Sequence, residues 1–169
     1  MSSLTNRIYD ELNEWKYSQL AISAALEIQN RNHKILDFVL VLISLIGIAG
    51  WFRNEELKII WTTVLIAVQG TRLSKNLFLK SSNERFSMKN SLDFYNYHLR
   101  DLENLFFDFY DGRFPNESVD KKLRKLQDEE RNIFGNQSFG TINLGKKKQS
   151  QIESQTDKYL LKIKRIINV

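Results

Sequence analysis

The side chains best suited to hold a ligand fall in one stretch, residues 135–150, where glycines stand at 135, 140 and 145. Glycine permits close approach of a backbone to another molecule. Between them Asn136, Gln137, Ser138, Thr141 and Asn143 offer hydrogen bonds for a base edge or a ribose, and Phe139 can stack on a base. Lys146, Lys147 and Lys148 follow, placed to meet phosphates. The chemistry this set suits is recognition of a nucleotide or short oligonucleotide. It is neither a P-loop nor a G-x-G-x-x-G fingerprint, and a surface loop ending in a lysine run has the same composition, so both readings stand. Duplex nucleic acid is not the expected partner.

Catalysis finds less support. Cysteine is absent, which removes a thiol nucleophile, a disulfide framework and a Cys-based zinc site. His33 and His98 are far apart, and neither begins an H-E-x-x-H or H-x-E motif. There is no G-x-S-x-G, and the acidic residues scatter over polar helix faces. Asp128, Glu129 and Glu130 read as a solvated face, and His98 as a packing residue on an aromatic helix. The expectation is a chain that is not an enzyme and needs neither metal nor cofactor.

A second polar set lies in an apolar setting. Lys58, Thr62, Gln69, Arg72 and Asn76 recur at spacings of three, four or seven, which puts them on one helix face. Polar groups are costly in lipid, so this seam should face protein or water. In an oligomer, Thr62, Gln69, Arg72 and Asn76 would line a pore; in a closed bundle they would hydrogen-bond between helices.

The elements that must position these residues are helical. One proline and seven glycines in 169 residues leave few breakers, and the apolar periods are near 3.6. Mean hydropathy is −0.39, but apolar residues crowd between Ile35 and Leu79. Residues 35–52 carry one charge, Asp37, and at 1.5 Å per residue extend about 27 Å. Arg53, Asn54, Glu55 and Glu56 make a short turn, and 57–79 form a second apolar segment. Trp51, Phe52 and Trp61 provide aromatic ends of the kind found at headgroups. The pattern predicts a transmembrane hairpin. Arg31 and Lys34 before it, and Arg72, Lys75, Lys80, Arg85 and Lys89 after it, predict a multi-pass membrane protein with both termini cytoplasmic. The first thirty residues do not read as a signal peptide.

Residues 1–34 are expected to be an amphipathic cytosolic helix, 35–79 the hairpin, and 80–169 a cytosolic helical domain for sensing and oligomerisation, an all-α architecture throughout. In the last part, Leu92, Tyr95, Leu99, Leu102, Phe106 and Phe109 mark a long helix, and 111–115 a turn. Helices over about 118–133 and 151–167 follow. Residues 113–169 hold thirteen Lys/Arg against seven Asp/Glu, a net of +6, which favours an anionic partner or a solvated basic surface.

This layout resembles the SLATT family, two-transmembrane effectors found beside bacterial nucleotide-signalling (CBASS-type) antiphage systems. The stretches that look alike are 15–32, leading into the first apolar segment, and 85–95 with Leu99 and Leu102 after the second. The chain is also similar to the small membrane effectors of type III CRISPR systems, which pair two membrane helices with a cytosolic sensor of cyclic oligoadenylate. The glycine-spaced loop suits this second comparison. The resemblance implies a homo-oligomer of the bacterial inner membrane that binds a cyclic oligonucleotide and compromises the lipid bilayer. An unregulated holin-like pore-former and a membrane-anchored scaffold with a protein partner remain as alternatives.

Overall fold

The computed structural model describes residues 3–53, 58–73, 81–134, 142 and 144–167. Among them every regular element is an α-helix and there is no strand, so the chain is all-α. The helices are α1 (Ser3–Arg53), α2 (Lys58–Leu73), α3 (Ser82–Tyr110), α4 (Asn116–Phe134) and α5 (Lys146–Ile167). The expected amphipathic helix and the first apolar segment are one helix of 51 residues. No glycine or proline stands between Asn30 and Lys34 to end it.

Helix ends follow local chemistry. Ser81 and Glu84 form a capping box: the Glu84 N–H donates to Ser81 Oγ (3.2 Å), and the Ser81 N–H to the Glu84 carboxylate (3.0 Å). At the end of α3, Gly112 takes φ +68° and the Arg113 N–H reaches the Asp108 carbonyl at 2.9 Å. That left-handed position favours glycine. Pro115 then precedes α4 and its carbonyl accepts from Ser118 and Val119.

The chain divides into two compact units. One comprises Met1–Ala25 and Phe86–Val169, the other Leu26–Arg85. In the first, the start of α1 packs with α3, α4 and α5. Ile8, Leu12 and Trp15 from α1, Met88, Leu102 and Phe106 from α3, and Val119 and Leu123 from α4 are almost fully buried. Ile152, Leu160 and Ile163 of α5 close the core. The registers are read from polar pairs. Arg7 meets Asp120, Glu11 meets Gln127 and Trp15 meets Glu130, so α1 and α4 run parallel. Tyr9 meets Phe106 while Trp15 meets Tyr95, so α1 and α3 run antiparallel.

In the second unit, α1 and α2 are antiparallel. A Cβ on Gly47 would lie 3.2 Å from Leu65 Cδ2, so a glycine lets the helices approach there. Leu40 and Val68 are buried on the same seam. Away from it α1 presents a largely apolar face. Ile35, Phe38, Val39, Val41, Leu42, Leu45, Ile46 and Ile48 are all exposed, and at 100° per residue they cover about half of the helix circumference. Ser44, Thr62, Thr63 and Thr71 each donate their hydroxyl to the carbonyl four residues earlier.

One expectation is corrected. Among the described residues no helix is long and apolar enough to cross a membrane, which conflicts with a multi-pass inner-membrane protein. The described residues of α2, Lys58–Leu73, include Lys58, Gln69 and Arg72, polar groups that are costly in a hydrocarbon layer. In α1 the apolar stretch contains the charged Asp37 and continues directly from Arg31 and Lys34. Charge-based orientation of the two termini falls with the spans it was meant to orient.

Candidate functional site

Of the expected ligand residues, Lys146, Lys147 and Lys148 are described, as the first turn of α5. Lys146 and Lys147 are exposed and Lys148 is half-buried. The N–H groups of Lys148 and Gln149 close the turn onto the Gly145 carbonyl, at 2.8 and 3.2 Å. Leu144, just before, is buried and anchors the approach to the helix. Asn136, Gln137, Ser138, Phe139, Thr141 and Asn143 lie outside the described residues. Three cations and no acid in a first turn oppose the helix macrodipole, whose N-terminal end is positive. A bound anion there would offset both the dipole and the mutual repulsion.

On α2, Thr62 and Gln69 are exposed. They point away from the seam with α1, which Trp61, Leu65 and Val68 form. The Thr62 hydroxyl is satisfied by the Lys58 carbonyl at 2.8 Å. The Arg72 side chain and Asn76 lie outside the described residues.

A cluster that the sequence reading missed sits inside the first unit. Glu130 is drawn out of the solvated face assigned to it and becomes half-buried. It accepts from the Trp15 indole N–H at 3.1 Å and from the Tyr95 hydroxyl at 2.7 Å. Around them Phe94 and Phe134 pack edge-on, with centroids 5.4 Å apart, and Phe134 stacks on Tyr95 at the same separation. Burial pushes the Glu130 carboxyl up, opposed by its two donors and reinforced by Glu11 and Glu14. The Tyr95 hydroxyl is also pushed up, by burial first and then by its bond to Glu130. A similar pair, Tyr159 donating to Glu103 at 2.6 Å, joins α5 to α3. Lys16 lies 5.0 Å from the Tyr159 ring centre, and burial lowers its pKa against the attraction of Glu103.

The raised Glu130 has a signed consequence. A carboxyl whose folded pKa exceeds its unfolded one stabilises the fold fully below the unfolded value. That contribution disappears as pH rises through the folded value. Glu130→Gln keeps the shape but does not titrate. Wild-type stability should therefore gain on the variant as pH falls from about 8 to about 5, read as the difference in urea midpoints. A constant difference across that window would show that Glu130 is not desolvated.

A groove of about 360 Å³ opens between α3 and α4. Its walls carry His98, Asp101 and Asp108 from α3 and Lys122, Lys125 and Glu129 from α4. His98 packs against Phe94 at 4.5 Å between ring centres, as expected for a packing residue, with Nδ1 3.3 Å from Asp101. Lys125 pairs with Glu129 and Lys122 covers the Phe114 ring, so the groove's charges are largely engaged with one another. Among the described residues no group of His, Asp or Glu is arranged to hold a metal ion. No family model matches the chain, and no curated protein or solved structure matches it either.

Proposed function

We propose that the chain is a ligand-responsive effector acting on membranes, in which Leu26–Arg85 contributes the lipid-seeking surface and the other unit senses the ligand. The exposed apolar half of α1 between Ile35 and Ile48 carries this reading. Contiguous apolar patches beyond a few hundred Å² are rare on surfaces that face only water. The hydroxyls around that surface are satisfied within their own helices, so they would need no water if lipid replaced it. No crossing of the bilayer is required. The apolar face can sink from one side into the boundary between headgroups and acyl chains, as interfacial helices do.

The sensing part rests on the basic first turn of α5 and on the glycine-spaced segment before it, whose composition suits a cyclic oligonucleotide. The resemblance to SLATT and type III CRISPR effectors points the same way. A ligand shared between copies would favour the assembled state. A thousandfold preference, about 4 kcal/mol, is within reach of a few phosphate and stacking contacts. In that assembly the seam of Thr62, Gln69, Arg72 and Asn76 would face water where copies meet, and membrane integrity would fail there.

The test uses the full-length chain with dye-loaded phospholipid vesicles. We expect the protein to float with the vesicles and to release dye at least tenfold faster when a cyclic oligoadenylate is added. Release at full rate without nucleotide would identify a constitutive pore-former. Flotation without release under any condition would identify a scaffold, and failure to float would end the membrane reading.

A further inference from the structure

The charges of α5 are segregated in a way that its composition does not reveal. Its two acids, Glu153 and Asp157, turn toward α1, where they line a groove with Asp10 and Glu14. Ile152, Thr156, Leu160 and Ile163 are buried. Away from α1, Lys147, Lys158, Lys162 and Arg165 share one exposed face with no acid among them. From 147 to 165 this face extends roughly 27 Å along the helix. Exposed Leu161 and Ile166, each 55% accessible, border it on either side.

A basic face alone is often a solvated one, and the contrast with α4 is what separates the two cases. On α4, Arg124 pairs with Asp120 (2.7 Å), Lys125 with Glu129 (3.8 Å) and Arg131 with Asp128 (3.8 Å), while Lys122 covers Phe114. Among the described residues, Lys158, Lys162 and Arg165 have no such partner. Cations in a last turn complement the helix macrodipole, which accounts for Arg165. It does not account for Lys158, nearly two turns earlier, nor for two exposed aliphatic residues flanking the cations.

From this face we infer that α5 docks on a surface of anionic phospholipid headgroups, with its cations on the phosphates and Leu161 and Ile166 reaching the acyl boundary. Unpaired cations beside aliphatic side chains match what such a surface rewards. A single-stranded nucleic acid would call for aromatic stacking platforms, and the face has none. The inference deepens the membrane reading above and rests on it for the choice of lipid, but its residues belong to the other unit.

The experiment measures partitioning of the full-length chain onto vesicles of phosphatidylcholine alone and of phosphatidylcholine with phosphatidylglycerol. A triple variant, Lys158→Gln, Lys162→Gln and Arg165→Gln, tests the face. A second triple, Lys121→Gln, Arg124→Gln and Lys125→Gln, is the control, and circular dichroism verifies folding. Wild type should prefer the anionic vesicles, and the α5 triple should lose roughly a hundredfold of that partitioning, as three charges near an anionic surface imply. The preference should fade in high salt, and the α4 triple should keep it. Equal binding to both vesicle types overturns the α5 inference and leaves the membrane reading intact. Binding to neither overturns both. An anionic preference that survives the α5 triple, or tight binding of single-stranded RNA lost in the triple without any lipid preference, also overturns the inference.

Discussion

Replacing Trp15 by alanine should unfold the unit formed by Met1–Ala25 and Phe86–Val169 or leave it only marginally stable. Trp15 is fully buried, with its ring 5.5 Å from that of Phe94 and 5.9 Å from that of Tyr95 in edge-on contact. Truncating a buried tryptophan costs about 3–5 kcal/mol. Here the loss also removes one of the two donors of Glu130, leaving a half-buried carboxylate short of a partner at a further cost of about 1 kcal/mol. Against a total stability of roughly 5–15 kcal/mol for a domain, the sum takes most of what holds α1 to α3 and α4. Trp15→Phe separates the two contributions, since it keeps most of the apolar volume and deletes only the N–H. Urea titration followed by circular dichroism should place Trp15→Phe between wild type and Trp15→Ala. Equal midpoints for Trp15→Ala and wild type would mean that this cluster does not tie the helices together.

That cluster also shows where sequence reading stops. The spacing of Tyr95, Leu99, Leu102 and Phe106 places them on one face of α3, and all four are buried. The turn at 111–115 was legible because Gly112 and Pro115 are local signals, and the structure uses the first for its positive φ. Glu130 was illegible for the opposite reason. Its neighbours in sequence are charged, and what buries it is Trp15, 115 positions away. Nothing in a local window announces a pair formed by two helices that run parallel. The last helix was legible in extent, and in the structure Ile152, Leu160 and Ile163 are buried while Ile166 is 55% exposed. With that face buried, Lys158, Lys162 and Arg165 are left exposed. The amphipathic stretch and the apolar segment differ in composition, but a change in composition is not a change in backbone conformation. Asn30 to Lys34 are polar yet compatible with helix, so α1 continues through them.

Exchanging two apolar residues at the middle of the exposed face of α1 should abolish vesicle binding without harming the fold. Phe38 and Leu45 are 64% and 59% exposed, seven positions apart and hence on one side of the helix. If lipid covers them, each contributes about 1.5–3 kcal/mol on transfer out of water. The double variant Phe38→Gln, Leu45→Gln should then weaken partitioning onto neutral vesicles by between roughly a hundredfold and ten-thousandfold. Phe38 is absent from the cavity between α1 and α2, and Leu45 borders it beside Val68 but stays mostly exposed, so the urea midpoint should move little, within the small range typical of exposed substitutions. Leu40→Gln provides the inverse control. Leu40 is only 7% exposed, so that change places an amide in the helix–helix seam and should destabilise Leu26–Arg85. Dilution separates lipid from a second copy as the cover for this face. If copies cover it, sedimentation without vesicles will show an oligomer that wild type forms and the double variant does not. If lipid covers it, both chains sediment alike and only flotation distinguishes them. A double variant that floats like wild type would show that the exposed half of α1 is not what brings the protein to a membrane.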